Sequence, residues 1–483
     1  MKLSVLLAFF MLFVTLLSCQ TQENPDQELI AQESPDLELI AQNDPEQTPT
    51  NATNQKETLR LTTESESDFY YYSLEKKTID CMVKINAAEA KQNIKRTPLN
   101  IALVIDRSGS MAGDKLAYVK QACKMVIDNL TNEDYLSIVM YDTDVTIVES
   151  SAPLVNKKKL KDKIDNITDG GSTFLSGGLL EGFSQVKSTY DKEKVNRVLL
   201  LSDGLANQGI TDINELQNIV KNKYRELGIA VSTFGVGADF NEDLMTNLAE
   251  YGNGNYYYMD SPEKIPGIFE KELRGLLSIV AKDAVLKIDY PQEYLTLEKS
   301  YGYDFSTNSR DTYIDFKDIF SKEEKLVILR FKINEKINKN LKINFKLSFD
   351  DARNDNKASV INKSVLIKYT TDLAKYDAQI NKEVIRHRIT FYYNEKFSEI
   401  AKEVDFGKYE EAKAKLDKLI KNMKEELKTY NIAMDESLKN LITDQEAYMA
   451  QMSQMRYNTH DQNSMIQKSY KSRNYMQKKN KIK

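Results

Sequence analysis

Three oxygen-bearing side chains on alternate residues follow an uninterrupted apolar run. Residues 101–105 are all apolar, and Asp106, Ser108 and Ser110 come directly after them. A run without a polar face is typical of a strand that is buried on both sides in a parallel sheet. Ligands of open α/β sheets bind at the carboxyl ends of such strands. One carboxylate and two hydroxyls are hard oxygen donors there, which suit a small divalent cation such as Mg²⁺.

Two later segments bring further oxygen donors to the same predicted edge. Thr173 follows a Gly-Gly pair and precedes a helix-like segment, and Asp203 lies at the end of a second apolar run, residues 198–201. Mg²⁺ prefers six oxygens in an octahedron and usually keeps several waters. Two carboxylates and three hydroxyls can therefore provide much of such a shell and leave one position free. The alternative is a purely structural role, in which the carboxylates cap strand ends and the hydroxyls form local turns.

The motif Asp-x-Ser-x-Ser, a threonine after a Gly-Gly loop, and a later strand-ending Asp-Gly resemble the metal-ion-dependent adhesion site of von Willebrand factor A domains. The resemblance covers roughly residues 98–277. It implies that Ser108, Ser110 and Thr173 contact the metal directly. It also implies that Asp106 and Asp203 act largely through waters, and that a protein partner's Asp or Glu takes the free position. Mg²⁺ is the expected ion, with Mn²⁺ or Ca²⁺ as alternatives.

Strands and helices alternate through residues 98–280, which predicts a doubly wound α/β domain with a mainly parallel sheet. Short β-like runs in residues 59–97 and 281–370 predict a β-sandwich into which this domain is inserted. Bacterial von Willebrand A lipoproteins of the calcium-activated-chloride-channel-like type look similar in this part. They often carry a motif similar to Tyr301-Gly302-Tyr303, and the likeness implies no channel activity.

The last quarter of the chain is rich in helix-forming residues. Residues 371–455 predict a helical hairpin region, and Gly407 lies at its turn. Residues 456–483 are basic, and no acidic residue occurs from position 468 onward. Such a segment could touch anionic lipid or polymer, but a frayed, solvated tail is the interpretation that we adopt.

The N-terminus has the features of an exported lipoprotein. Residues 1–18 contain a basic residue and then an apolar segment too short to span a bilayer well, which predicts a signal peptide. The Leu-Leu-Ser-Cys sequence that ends at Cys19 resembles a bacterial lipobox and implies lipidation of Cys19; ordinary secretion is the alternative. Residues 19–58 carry four of the nine prolines and an acidic repeat, which predicts a disordered tether. The expected location is therefore the bacterial cell envelope, at the periplasmic face or the cell surface.

The composition excludes several classes of function. A net charge of −5 offers no general basis for nucleic-acid binding. The two histidines, His387 and His460, lie outside the central segment, so a Ser-His-Asp arrangement there has no base. The sequence also has no phosphate-binding G-x-x-x-x-G-K-[ST] loop, no H-E-x-x-H and no C-x-x-C. Cys81 and Cys123 fit apolar core positions, although an oxidising compartment would allow them to pair.

Three functions remain open. The first is a non-catalytic, lipid-anchored binding or adhesion protein that grips an acidic side chain through its metal. The second is a structural or assembly scaffold of the envelope in which the metal only stabilises the fold. The third is a metallohydrolase, because a single Mg²⁺ can activate water. A shell rich in neutral hydroxyls keeps the cation attractive to an incoming carboxylate, which favours the first.

Overall fold

The structure is a computed structural model that describes residues 57–71, 77–89, 96–237, 240–276, 278–308, 311–334 and 338–478, all within one compact unit. The predicted signal peptide, the predicted lipidation at Cys19 and all but the last two residues of the predicted tether lie outside this part. Within it, no helix combines the length and the apolar character needed to cross a bilayer.

Strands and helices alternate in the middle of the chain and segregate towards its ends. The strands are β1 (Leu59–Ser65), β2 (Phe69–Tyr70), β3 (Thr78–Ala87), β4 (Leu99–Asp106), β5 (Tyr135–Tyr141), β6 (Val145–Pro153), β7 (Val195–Ser202), β8 (Ala230–Val236), β9 (Asn253–Met259), β10 (Ile279–Asp289), β11 (Leu295–Tyr301), β12 (Phe305–Thr307), β13 (Thr312–Phe320), β14 (Glu324–Ile333), β15 (Leu341–Asp351) and β16 (Lys357–Tyr369). The helices are α1 (Asp114–Asn129), α2 (Lys157–Asp165), α3 (Leu175–Ser188), α4 (Ile213–Leu227), α5 (Glu242–Tyr251), α6 (Ile265–Leu276), α7 (Leu373–Ala378), α8 (Lys382–Asp405), α9 (Tyr409–Thr429), α10 (Glu436–Met455) and α11 (His460–Lys478).

The central domain is built on a six-stranded sheet in the order β6-β5-β4-β7-β8-β9. Neighbouring strands in the series β5-β4-β7-β8-β9 pair in parallel. Strand β6 pairs with β5 and adds an antiparallel edge. Every residue of β4, β7 and β8 is buried, because helices cover both faces. Helices α1, α2 and α6 pack on one face, and α3, α4 and α5 pack on the other. This arrangement confirms the predicted doubly wound α/β fold.

The segments on either side of the central domain form one sandwich. Its four-stranded sheet has the order β1-β3-β14-β11, and its six-stranded sheet has the order β12-β13-β10-β15-β16-β2. Apolar side chains from both sheets form a common core. Strand β3 precedes the central domain and β14 follows it, yet the two pair over nine residues. The central domain is therefore inserted into the sandwich, as predicted.

Helices α7 to α11 form the predicted C-terminal helical region. Asp372, Asn381 and Asp435 cap the N-termini of α7, α8 and α10 by accepting backbone N–H bonds. Helices α8 and α9 meet at Gly407, whose φ of +74° lies in the left-handed region that glycine adopts without strain. The four longer helices share one apolar core.

The prediction of a frayed, solvated tail from Lys468 onward is wrong for residues 468–478, which belong to α11. Tyr470 enters the core of the helical region, and Tyr475 enters the core of the central domain beside Tyr256. The basic groups find partners as well: Lys468 Nζ donates to Phe240 O at 2.6 Å. The charge pattern did not predict this packing, because the apolar residues of the helix are divided between the cores of two domains.

Candidate metal site

The metal ligands predicted from sequence begin at the carboxyl ends of two neighbouring strands. Strand β4 ends at Asp106 and pairs in parallel with β7, with Ile105 opposite Leu201. Asp203 follows β7 directly, so both carboxylates lie at the same edge of the sheet. Both residues are 0% exposed. A buried carboxylate needs hydrogen-bond donors or a cation nearby, because an uncompensated charge is costly away from water.

Protein donors hold Asp106 on both carboxylate oxygens. Oδ1 accepts the backbone N–H of Ser108 at 2.9 Å. Oδ2 accepts the hydroxyls of Ser202, at 2.5 Å, and Tyr141, at 3.2 Å. Burial raises the pKa of Asp106 to about 6; the Ser108 and Ser202 bonds oppose that rise, and the charge of Asp203 adds to it. The carboxylate is therefore fixed in position before any ligand arrives.

The two predicted serine ligands lie side by side in the turn after β4. Their Oγ atoms are 3.2 Å apart, with Ser108 buried and Ser110 exposed. Gly109 between them donates its N–H to Gly171 O at 2.8 Å. A Cβ on Gly109 would lie 3.3 Å from Gly170 O, which is tighter than most Cβ contacts, so a larger residue would require a small shift of this backbone. The close contact ties the serine turn to the loop that carries Thr173.

Backbone bonds fix Thr173 and leave its hydroxyl available. Its N–H donates to Asn207 Oδ1 at 2.8 Å, and its carbonyl accepts the N–H groups of Asn207 and Gln208. Thr173 is 2% exposed, yet its hydroxyl has no hydrogen-bond partner among the residues that the structure describes. Such a hydroxyl fits a bound cation or water. Asn207, which sequence reasoning missed, connects this loop to the loop after β7.

Asp203 faces a cation that belongs to the chain itself. Lys115 Nζ, from the first turn of α1, lies 3.2 Å from Asp203 Oδ2. The Asp203 carbonyl accepts the N–H of Asn241 at 2.9 Å. Gly204 follows with φ +65°, a left-handed turn that lets the chain leave the strand sharply. Lys115 was also missed from sequence, since its position on a helix gives no sign that its amine reaches a strand end.

A second ion pair connects the loops around the site. Arg107 pairs with Asp142 at 2.8 Å, and Asp142 Oδ2 also accepts the Gly171 N–H at 3.2 Å. Burial alone would raise the pKa of Asp142, but N–H groups of Asp144 and Gly171 and the charge of Arg107 together lower it. Asp142 therefore stays ionised and connects the loop after β5 to the Thr173 loop.

The donor set fits a hard divalent cation. It consists of two carboxylates and three hydroxyls on three loops that hydrogen bonds connect to one another. Among the described residues no group of three or more His, Cys, Asp or Glu side chains is placed to hold a metal, as expected for a set with only two carboxylates. Hydroxyl and carboxylate oxygens favour Mg²⁺, Mn²⁺ or Ca²⁺ over soft metals.

Residues 100–271 match the von Willebrand factor type A domain. The chain contains a von Willebrand factor type A domain. Such domains typically mediate protein–protein interactions and bind a divalent metal at their adhesion site, and the proteins that carry them are generally non-enzymatic. This domain holds all five predicted metal ligands.

Three relatives of known sequence match part of this chain. The uncharacterized protein YfbK of Escherichia coli K12 is 35% identical over 42% of this chain and 36% of its own length. The uncharacterized protein sll0103 of Synechocystis is 25% identical over 52% and 60%. Inter-alpha-trypsin inhibitor heavy chain H3 of mouse is 27% identical over 48% and 26%. The chain thus spans about a quarter to three-fifths of these relatives.

Two solved structures share the fold over most of the chain. A von Willebrand factor type A protein from Catenulispora acidiphila aligns with a TM-score of 0.63 at 14% identity, over 80% of this chain and 90% of its own. The ArnB paralog VWA2 from Sulfolobus acidocaldarius aligns with a TM-score of 0.54 at 16% identity, over 86% and 98%. Both likenesses concern the fold alone.

Proposed function

We propose that this chain is a non-catalytic binding protein whose von Willebrand factor A domain grips an acidic side chain of a protein partner through a divalent metal. Mg²⁺ is the proposed ion, with Mn²⁺ or Ca²⁺ as alternatives. The observation that carries the proposal is the Thr173 hydroxyl, which has no hydrogen-bond partner among the described residues and lies at an edge with two fixed carboxylates and two further hydroxyls.

Each protein group has a separate task in this proposal. Ser108, Ser110 and Thr173 would hold the ion directly, and Asp106 and Asp203 would hold it through waters. The ion would supply positive charge that attracts a carboxylate, since three neutral hydroxyls leave most of that charge uncompensated. Ser202 and Tyr141 orient Asp106, and Asn207 orients the Thr173 loop.

The test is calorimetric titration of Mg²⁺, and separately Mn²⁺, into the full-length chain and two variants, Asp106→Ala and Asp203→Ala. Saturable binding by the parent that both folded variants lose is the expected result. Asp165→Ala is the matched control, because Asp165 is an exposed partner of Lys124 away from the site. Binding that survives in both site variants, or no binding by the folded parent, would overturn the metal assignment.

We also propose that a lipid on Cys19 anchors the chain in the bacterial cell envelope, with residues 19–58 as a spacer. The lipobox-like sequence and the apolar segment before it support this proposal. Cys19→Ala should move the protein from the membrane fraction to the soluble fraction and abolish labelling by a fatty-acid analogue. Unchanged fractionation and labelling would contradict it.

A structural scaffold is the second candidate, and the packing of α11 favours it. Helix α11 contacts both the helical region and the central domain, so the described residues form one connected body. A scaffold would bind its partner equally well with and without a metal chelator. Partner binding that is lost on chelation, and restored by Mg²⁺, would favour the adhesion function instead.

A further inference from the structure

A cavity lies away from the metal site, where the central domain, the sandwich and the helical region meet. Its volume is about 420 Å³, and its walls come from α4 of the central domain, the segment 299–306 and β13 of the sandwich, and α8. None of the five predicted metal ligands lines it. Cavities of about 300–1,000 Å³ are the usual size for small-molecule sites.

Aromatic side chains form much of the cavity wall. Tyr301, Tyr303 and Phe391 line it together with other rings, which are Tyr224, Tyr251, Phe305, Tyr313, Phe316 and Phe320. Gly302 between the first two has φ +95°, and a Cβ there would lie 2.6 Å from Leu326 O. The Tyr-Gly-Tyr segment can therefore present both rings only because its middle residue is glycine.

Most charges around the cavity are already compensated within the chain. Four ion pairs, each with its charged atoms within 4 Å, account for these groups: Arg197 with Glu272, Lys299 with Glu395, Lys317 with Asp315 and Lys325 with Glu323. These pairs lower the cost of burying charged groups at a junction of domains. They leave no net charge to attract a ligand.

Four lining groups have no ion pair or side-chain hydrogen bond among the described residues: Lys221, Arg225 and Asp304, which are exposed, and Asp318, which is half-buried. The Lys221 ammonium group lies 5.8 Å from the centre of the Tyr251 ring. The two cations lie one turn apart on α4, and the two carboxylates lie on the facing sandwich wall. Burial raises the pKa of Asp318, and the charge of Arg197 opposes that rise. The cavity therefore has two cations on its α4 side, two carboxylates on its sandwich side and aromatic surface between them. Glu250 of α5 also lines the central-domain side, and it has an interaction of its own within the chain.

We propose that this cavity binds a small zwitterion with an apolar body, of the size of an amino acid. Its ammonium group is held by Asp318, and its carboxylate is held by Lys221 and Arg225. The rings of Tyr301 and Tyr303 cover its apolar body. Only a ligand that carries both charges satisfies both walls, and this pairing with charged groups supplies the specificity.

The test uses three probes that share a phenyl ring and differ in charge: L-phenylalanine, phenethylamine without the carboxylate, and 3-phenylpropionate without the ammonium group. Each is titrated by calorimetry into the full-length chain in the presence of a chelator, which separates this site from the proposed metal site. L-Phenylalanine should bind saturably, and each single-charge probe should bind at least about tenfold more weakly. Equal binding of the three probes, or no binding of L-phenylalanine, would overturn the proposal.

Two variants on one strand locate the ammonium contact. Asp318→Asn should weaken the binding of L-phenylalanine by about tenfold or more. The weak affinity for 3-phenylpropionate should stay unchanged. Asp315→Asn is the matched control, because Lys317 lies 2.7 Å from Asp315 and already neutralises it. Circular dichroism and thermal unfolding confirm that both variants are folded. An equal loss in both variants would mean that the general negative charge of the wall, and not Asp318, attracts the ligand.

Discussion

Single side chains set the charge of the candidate metal site, and Lys115 is the one that opposes a cation. Its ammonium group lies 3.2 Å from Asp203 Oδ2, at a carboxylate that is fully buried. Two cations that approach the same carboxylate repel each other, so Lys115 should weaken metal binding.

Lys115→Met should therefore tighten Mg²⁺ binding, by roughly threefold to tenfold. Methionine keeps much of the apolar stem that passes over Gly237, and only the charge is lost. Calorimetric titration at constant ionic strength measures the change. Lys124→Met on the same helix is the control and should change nothing, because Lys124 pairs with the exposed Asp165. Weaker binding in Lys115→Met would show that the lysine supports the site instead.

Among the secondary-structure elements, α11 has the contacts with the widest consequences. Lys471 lies 2.5 Å from Asp405 on α8 and 3.6 Å from Glu242 on α5, so it connects the helical region to the central domain. Glu242 is 7% exposed, and its Oε2 accepts no hydrogen bond from the part of the chain that the structure describes. Burial raises the pKa of Glu242 to about 8; Lys471 and Lys468 oppose this rise, and Asp243 and Asp405 add to it.

The free energy of unfolding should consequently fall as pH rises from about 5 to 8. Glu242 holds a proton in the folded chain and loses it in the unfolded chain over this window, so the folded state binds more protons. Glu242→Gln should remove this contribution, which is on the order of a few kcal/mol, and become the more stable protein near pH 8. Urea unfolding at pH 5, 6, 7 and 8 gives the comparison. Glu425→Gln, an exposed change on α9, should leave the pH dependence of the free energy of unfolding as it is in the parent. If Glu242→Gln also keeps the parent's pH dependence, the assignment is contradicted.

The whole molecule depends on pairings between segments that the central domain separates in sequence. Asp80 on β3 accepts two hydrogen bonds from Arg330 on β14, at 2.9 and 2.8 Å. Arg388 of α8 approaches the same carboxylate at 3.8 Å. One buried carboxylate therefore connects both halves of the sandwich with the helical region.

Asp80→Ala should destabilise the chain by about 3 kcal/mol, because it leaves the partly buried Arg330 without its ion-pair partner and leaves Arg388 with Glu426 alone. Chemical unfolding, followed by circular dichroism, measures the loss. Asp417→Ala removes an exposed pair with Lys421 and should cost less than about 1 kcal/mol. Equal effects of the two substitutions would show that Asp80 does not join the domains.

Features that depend on consecutive residues could be predicted from the sequence. The apolar run before Asp106 predicted the buried strand, and alternating strands and helices predicted the doubly wound domain, because burial on both faces leaves a mark on consecutive residues. The five metal ligands remain predictions. They lie at strand ends and in loops whose order along the chain is characteristic of von Willebrand factor A domains.

Contacts between residues that are far apart in sequence could be identified only in the folded chain. Lys115 contacts Asp203 across 88 residues, and Ser202 contacts Asp106 across 96. Asn207 contacts Thr173 across 34 residues, and no spacing along the chain encodes these approaches. The cavity between α4, β13 and α8 is a property of the packed domains in the same way. Helix α11 is the clearest case: its charges predict a solvated tail, but the partners that neutralise them, and the two cores that bury its tyrosines, exist only once the chain has folded.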